Sequence, residues 1–183
     1  MGPEKNQEVQ RHREDLTGEH KFGDAGQLII AVLFIIVWVL DSFVFKYSTF
    51  LNNYIPLAVQ LILGSIMLII AFYFARNGMK IIFGEVQEKP SVIRKGVLGI
   101  VRHPIYLSEI VFYLGLIFYR TSLAAAVIWI IAIVFLHYIS RFEEKLLLAR
   151  FGDDYKQYMR DVPMYFPKLI RHKSKTSINK NIL

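Results

Sequence analysis

Three long stretches without a charged residue constrain this chain more than any other feature. They cover residues 27–40, 54–75 and 121–140, and His137 is the only side chain in them that titrates near neutral pH. A helix needs about 20 mostly apolar residues to cross the hydrocarbon core of a bilayer. The second and third stretches are that long, and the first reaches this length if it continues to about Tyr47. We therefore predict at least three membrane-spanning helices.

A fourth apolar stretch, residues 104–119, contains Glu109 and is short for a full span. As a helix it would be about 24 Å long. A soluble bundle is the alternative, but the chain is 54% hydrophobic, above the ~45–50% of soluble domains, which leaves little polar surface to cover these stretches. The sequence predicts an all-α integral membrane protein with four to five membrane-embedded helices and a helical C-terminal segment on the cytoplasmic side.

We expect one folded domain with a tail at each end. Residues 1–25 are predicted to form a cytoplasmic N-terminal tail, and residues 169–183 a basic C-terminal tail. Between them, residues 26–168 form a single membrane-embedded domain with its catalytic part at about 90–168. The first apolar stretch follows a tail of mixed charge and precedes no small-residue cleavage site, so we interpret it as a retained span and not as a signal peptide.

The distribution of basic residues predicts the orientation. Lys and Arg are concentrated before the first stretch, between residues 76 and 102 and after residue 140, whereas the two other connections hold one each, Lys46 and Arg120. Basic residues favour the cytoplasmic side, so both termini and the central loop are expected there. The net charge of +7 fits this asymmetry and contact with anionic headgroups. We expect the bilayer, and no nucleic acid, as a partner.

The chain contains no cysteine. This excludes disulfides, thiolate metal sites and a cysteine nucleophile, and we expect no metal.

The motif RHPIY, residues 102–106, opens the fourth apolar stretch. Pro104 suits the first position of a helix, where its missing N–H costs nothing. Tyr106, Glu109 and Tyr113 then follow at a spacing that puts all three on one helical face. This helix is thus expected to carry a polar stripe inward from its first turn.

The C-terminal third is predicted to leave the membrane as a helix and then turn. Residues 141–151 form the extension, Gly152 caps it, and a second short helix runs to Pro163. The apolar residues of that helix recur every three to four positions. Such a stripe packs either on the protein or on the membrane surface; its members are Tyr155, Tyr158, Met159 and Val162.

Two antiparallel helices joined by a tight turn at Arg120 bring the start of one and the end of the other to the same membrane depth. His103 and Tyr106 are thereby expected near Arg141 and the pair Glu143–Glu144. Ionisable residues at membrane depth are candidates for function.

Each candidate also has a structural alternative. Arg141 and the two glutamates would otherwise form an exposed helix end, and His103 an anchor at the level of the headgroups. Glu109 would otherwise be a buried partner of Arg102 or of Arg120.

One ordered pattern of motifs runs through these residues. It reads RHP-x-Y, a hydrophobic hairpin, R-x-E-E, and then L-x-x-x-F-G-x-x-Y-x-x-Y-x-x-x-V-P, and it is matched by residues 102–106, 141–144, 147 and 151–163. In this order and spacing, after two upstream spans, the pattern resembles the isoprenylcysteine carboxyl methyltransferases and the related phospholipid methyltransferases. The resemblance covers about residues 90–168.

The resemblance implies an integral membrane enzyme that uses S-adenosylmethionine. It implies cofactor contacts from the loop before the RHP motif, from the motif itself and from the acidic pair, carried here by Ile93, Val97, Leu98, Gly99, His103, Pro104, Tyr106, Leu107, Glu143 and Glu144. It implies that Arg141 lies on the substrate side, where we also expect Glu109 and Tyr113. Arg141 and Glu144 are the expected catalytic residues, and which glutamate of the pair contacts the cofactor stays open.

One position departs from the family. Its members commonly have an aromatic residue shortly after the first glycine of the loop, whereas this chain has Gly96-Val97-Leu98. The resemblance then implies an apolar contact from Leu98 in its place.

We interpret the chain as an S-adenosylmethionine-dependent methyltransferase that acts on the C-terminal carboxylate of an S-prenylated cysteine at the cytoplasmic membrane interface. Glutamate accepts hydrogen bonds from ribose hydroxyls or an amino group, and Arg141 clamps a carboxylate with two donors. The alternatives are a phosphatidylethanolamine-type N-methyltransferase, an NADPH-dependent membrane sterol reductase and a non-catalytic membrane protein. The glycine pattern is not a dinucleotide fingerprint. The natural lipid, the oligomeric state and a fifth membrane helix stay open.

Overall fold

The computed structural model of the protein describes residues 21–84 and 91–166. These residues form α-helices joined by short turns, and they contain no strand. The predicted all-α class is therefore confirmed. The helices are α1 (Lys21–Val39), α2 (Leu57–Gly84), α3 (Pro104–Tyr119) and α4 (Leu123–Asp161).

Three helical segments are long and apolar enough to cross a membrane. They are Gly23–Phe45, Leu57–Ile82 and the helix α4, and the first has a mean hydropathy of 2.8. The first segment consists of α1 and a π-helical turn, Leu40–Phe45, which ends where Lys46 adopts a left-handed conformation. The shorter apolar helix α3 is the fourth member, so the prediction of an integral membrane protein holds.

Helices α2 and α3 pack closely because glycines lie between them. A β-carbon on Gly64 would lie 2.9 Å from the Tyr119 ring, and one on Gly115 would lie 2.9 Å from Leu68. Small residues let helix backbones approach in this way in membranes. A hydrogen bond between Ser65 Oγ and the Tyr119 hydroxyl, 2.7 Å long, adds a polar contact.

Helix α1 packs against α3 and α4 through aromatic side chains. The rings of Phe34 and Tyr113 stack at 4.3 Å, and the indole of Trp38 donates to the carbonyl of Leu116 at 3.0 Å. The outer faces of the helices stay apolar and exposed, as Leu28 and Ile69 illustrate at 65% and 69% exposure. Such faces suit the bilayer, because lipid tails are as apolar as these side chains.

Helix α4 is interrupted at Gly152, where the backbone adopts φ 56° and ψ −128°. The predicted end of the first helical stretch at this glycine is thus confirmed. Beyond it, Tyr155, Tyr158 and Val162 are buried, and the Tyr158 hydroxyl donates to the carbonyl of Leu98 at 2.6 Å. Of the two expectations for this stripe, packing on the protein is the one observed.

Candidate functional site

The start of α3 is shaped by the loop before it and by the C-terminal segment. The loop forms a 3₁₀ turn, Gly96–Gly99, in which Gly96 has φ +57°, a conformation that favours glycine. The backbone N–H of Arg102 donates to the carbonyl of Pro163 at 2.9 Å, and that of His103 to Met164 at 3.3 Å. These bonds fix the RHP motif against the segment that directly follows α4.

Arg102 is a buried structural clamp that the sequence reasoning did not assign to the site. Its Nε donates to Oε1 of Glu144 at 2.7 Å, and its Nη1 donates to the carbonyls of Met159 and Val162. The side chain is 8% exposed. Its place within the RHP-x-Y pattern was the available signal, since this arginine is as much a part of the motif as the histidine.

His103 lies between the two glutamates of α4. Its Nδ1 is 3.5 Å from Oε2 of Glu143, and its Nε2 is 3.3 Å from Oε1 of Glu144. Burial alone lowers the pKa of His103, but the hydrogen bonds and charges of the two carboxylates outweigh it and hold the pKa above its ordinary value. The two carboxylates therefore favour the protonated imidazole over the neutral one.

Two tyrosines complete the surroundings of His103. The Tyr106 hydroxyl donates to Glu143, and its ring stacks on the imidazole at 5.7 Å. The Tyr165 ring lies 6.2 Å from the imidazole, and its hydroxyl lies 2.6 Å from Ser140 Oγ. Burial raises the pKa of Tyr165 to about 12, so this phenol is neutral and serves as a hydrogen-bonding group.

Glu144 has one satisfied and one unsatisfied oxygen. Oε1 accepts from Arg102 and contacts His103, whereas Oε2 is buried and accepts no hydrogen bond from any described residue. An unpaired buried carboxylate oxygen is costly and is matched by a ligand that brings a donor. A ribose hydroxyl or an amino group has such a donor, so the hydrogen-bonding chemistry of Glu144 suits the expected cofactor.

Arg141 stands at the rim of this cluster. Its Nη1 is 3.9 Å from Oε2 of Glu144, and its side chain is 59% exposed. The contact is too long for a hydrogen bond, so Glu144 does not take up the donors of this guanidinium.

A second polar cluster lies deeper along α3. Glu109 accepts from Nε2 of Gln27 at 2.5 Å and from the Tyr113 hydroxyl. The structure contradicts the alternative in which Glu109 pairs with an arginine. Arg102 is bound to Glu144, and Arg120 lies over the Phe43 ring at the other end of α3.

The other predicted cofactor residues surround the first cluster in different ways. Val97 and Leu98 are buried, and Leu107 belongs to an apolar cluster with Val101 and Leu136. Ile93 is half-buried, and Gly99 is exposed. The structure thus gathers His103, Pro104, Tyr106, Glu143 and Glu144 with Arg141 at the rim, while the apolar residues pack behind them.

The chain was compared with known proteins. The sequence profile described as phospholipid methyltransferase matches residues 53–154. This range contains α2, α3 and α4 up to just beyond Gly152, and therefore both polar clusters except Gln27 and Tyr165. A search of the curated proteins found no match.

Proposed function

The chain belongs to the phospholipid methyltransferase family and is a membrane methyltransferase, and we propose that it uses S-adenosylmethionine to methylate the C-terminal carboxylate of an S-prenylated cysteine. The cofactor would supply an activated methyl group on its sulfonium. The protein's part is to hold the acceptor oxygen about 3–3.5 Å from the methyl carbon and to exclude water.

The cofactor side of this proposal is the cluster around His103. Oε2 of Glu144 lacks a donor among the described residues, and His103 and Tyr106 hold Glu143 beside it. Arg102 fixes Glu144 from behind through a 2.7 Å bond. A carboxylate fixed in this way is preorganised to accept a hydrogen bond from the cofactor.

The acceptor side rests on Arg141, which is the observation that carries the proposal. Two arginines contact Glu144, but Arg102 is buried and hydrogen-bonded to Glu144 and to two backbone carbonyls, whereas Arg141 is 59% exposed and 3.9 Å away. An exposed guanidinium beside the cofactor carboxylates suits a lipid-borne carboxylate, which it binds with two parallel donors. Apolar helix faces would admit the prenyl chain from the bilayer.

A carboxylate acceptor needs no general base. A terminal carboxyl group has an unperturbed pKa of about 3.3–3.7 and is ionised at neutral pH. Turnover is therefore expected to be flat between about pH 6.5 and 8.5. Arg141→Lys keeps the positive charge but loses the two parallel donors of the guanidinium, so it should lower turnover sharply. Glu109→Gln should leave turnover unchanged.

The amine of a phospholipid is the second candidate acceptor, and Glu109 is the observation that favours it. An alkylammonium has a pKa near ~10.4 and must lose a proton before it attacks the methyl group. Glu109 is a carboxylate held by Gln27 and Tyr113 within the helices. In this second reading it would be an obligatory base, and Glu109→Gln would abolish turnover.

Two measurements test these readings. Isothermal titration in detergent with S-adenosylhomocysteine and with NADPH comes first, and we expect binding of the former. Methylation of N-acetyl-S-farnesylcysteine and of phosphatidylethanolamine is then followed across the pH range. Binding of NADPH without binding of S-adenosylhomocysteine would overturn the proposal that S-adenosylmethionine is the methyl donor. Activity on the amine lipid alone, or a rate that climbs about tenfold per pH unit, overturns the carboxylate acceptor.

A further inference from the structure

Helix α1 reaches the candidate site although it lies outside residues 53–154, the range that the family profile matches. α1 and α3 run in the same direction, and three side chains of α1 contact α3 in matching order. The contacts pair Gln27 with Glu109, Phe34 with Tyr113 and Trp38 with Leu116. The first of these pairs is polar and lies one helical turn beyond Tyr106.

We define the α1–α3 seam as Gln27, Glu109 and Tyr113. Both carboxylate oxygens of Glu109 accept a hydrogen bond there, one from the Gln27 amide and one from the Tyr113 hydroxyl. Neither donor is charged. The seam thus presents a carboxylate that no described cation neutralises, since the nearby Arg102 and His103 are engaged by the glutamates of α4.

A second acidic residue lies on α1, one turn from the seam. Asp24 is one turn before Gln27 on α1 and is exposed. The site therefore has an acidic side at α1 and a basic rim at Arg141.

We propose that α1 takes part in acceptor selection, and that Gln27 is a positioning residue which holds the Glu109 carboxylate towards the acceptor. This inference rests on the proposed methyltransferase function. The carboxylate of Glu109 attracts a cationic head group and repels an anionic one. An anionic head group would therefore bind at Arg141 and not at the seam. An apolar side chain at position 27 leaves Glu109 short of one donor. The charged form of Glu109 is then less favoured. The preference for a cationic over an anionic head group becomes smaller as a result.

Two ligands with the same tail isolate this effect. N-Acetyl-S-farnesylcysteine carries a carboxylate, whereas S-farnesylcysteamine lacks the carboxylate and carries a free amine where the first ligand has an acetamide. Their dissociation constants are measured on protein saturated with S-adenosylhomocysteine, for the wild type, Gln27→Leu, Glu109→Gln and the double variant. We expect each single variant to shift the ratio of the two constants at least about fivefold towards the carboxylate ligand. The double variant should shift it no further than Glu109→Gln alone, because Gln27 acts through Glu109.

The control is Trp38→Phe, which removes the indole hydrogen bond between α1 and α3 away from the seam. It should move the ratio by less than about twofold, as should any general loosening of α1. Gln27→Asn, whose amide is too short to reach Glu109, replaces Gln27→Leu if the latter fails to fold. The inference is overturned if the ratio stays at the wild-type value, if the shifts of the single variants add, or if Trp38→Phe shifts it equally. A wild type that binds S-adenosylhomocysteine but neither ligand overturns the proposed acceptor, and the inference with it.

Discussion

His103 and Glu144 show how a few contacts define the chemistry of the site. One imidazole lies between two carboxylates, and one of these carboxylates is also bound by a buried arginine. Each group is thereby held in a fixed position, but one buried oxygen of Glu144 has no hydrogen-bond donor among the described residues. The residue pair is therefore the place to test cofactor binding.

We predict that His103→Ala and Glu144→Ala each weaken S-adenosylhomocysteine binding. Loss of one hydrogen bond to a charged group costs about 1.5–3 kcal/mol, which is roughly a ten- to hundredfold change in affinity. Isothermal titration in detergent measures it. Lys145→Ala is the matched control, because Lys145 follows Glu144 in α4 and is exposed. Wild-type affinity in both folded variants would remove these residues from the cofactor site.

The pKa of His103 leads to a prediction about pH. Its folded-state pKa lies above the ordinary value because of the two carboxylates, which outweigh burial. A raised pKa means that the protonated form stabilises the fold. This stabilisation is complete below about pH 6.5, the unfolded pKa, and is lost as the pH rises through the folded pKa. The difference in melting temperature between the wild type and His103→Gln should therefore be largest near pH 6 and shrink towards pH 9. A constant difference would show that the imidazole stays neutral in the folded protein.

The sequence could identify those site residues that belong to a short local motif. RHP-x-Y and the acidic pair pointed to His103, Tyr106, Glu143 and Glu144, and the structure brings these four together. The sequence could not predict which side chains from distant parts of the chain contact each other. Gln27 and Glu109 are 82 residues apart, and periodicity fixes the face of a helix but not the partner that this face meets.

At the scale of the elements, local signals again decided what could be predicted. Pro104 begins α3, and Gly152 interrupts α4, as the rules for helix ends require. The π-helical turn Leu40–Phe45 carries no such signal. It is explained by tertiary contacts of Asp41, which accepts hydrogen bonds from Ser48 and Ser122 at 2.5 Å each and so ties the end of α1 to the start of α4.

We predict that Gly152→Ala destabilises the helical segment after the interruption. Nothing lies within 4 Å of the position that a β-carbon would take, so the cost comes from the backbone alone, about 1–3 kcal/mol. Hydrogen exchange of the amides from Asp153 to Asp161 measures it. Gly115→Ala is the comparison, because its added methyl group would meet Leu68. Adding Leu68→Ala as a second substitution should restore stability to Gly115→Ala. It should not restore stability to Gly152→Ala, whose cost does not come from a contact. Unchanged exchange in Gly152→Ala would show that a side chain is tolerated at this conformation.

At the scale of the whole molecule, exposed apolar faces and buried polar clusters are combined in one helical bundle. Three helices in the described part of the chain are long and apolar enough to span a membrane, and α3 is shorter. The charged cluster lies at the start of α3 and in α4 after its apolar part, whereas the turn at Arg120 lies at the opposite ends of both helices. Composition was sufficient to predict this class of fold, because long uncharged stretches are stable in few folds other than membrane-spanning helices. The side of the membrane on which the cluster lies is a separate question, and it rests on the basic residues.

The last prediction concerns this orientation. The loop before α3 is rich in basic residues and should face the cytoplasm, where S-adenosylmethionine would enter the site. Because the chain has no cysteine, single cysteines can be introduced at Lys95, which is exposed, and at Tyr54, which is 80% exposed. A membrane-impermeant maleimide applied to intact cells should label Tyr54→Cys, and it should label Lys95→Cys only after permeabilisation. Arg120→Cys is the control, because Arg120 is exposed at the same end of the bundle as Tyr54 and should label with it. If Lys95→Cys and Tyr54→Cys react from the same side, the loop and the outer turns do not lie across a membrane from each other. The interfacial site proposed for the cofactor would then be wrong.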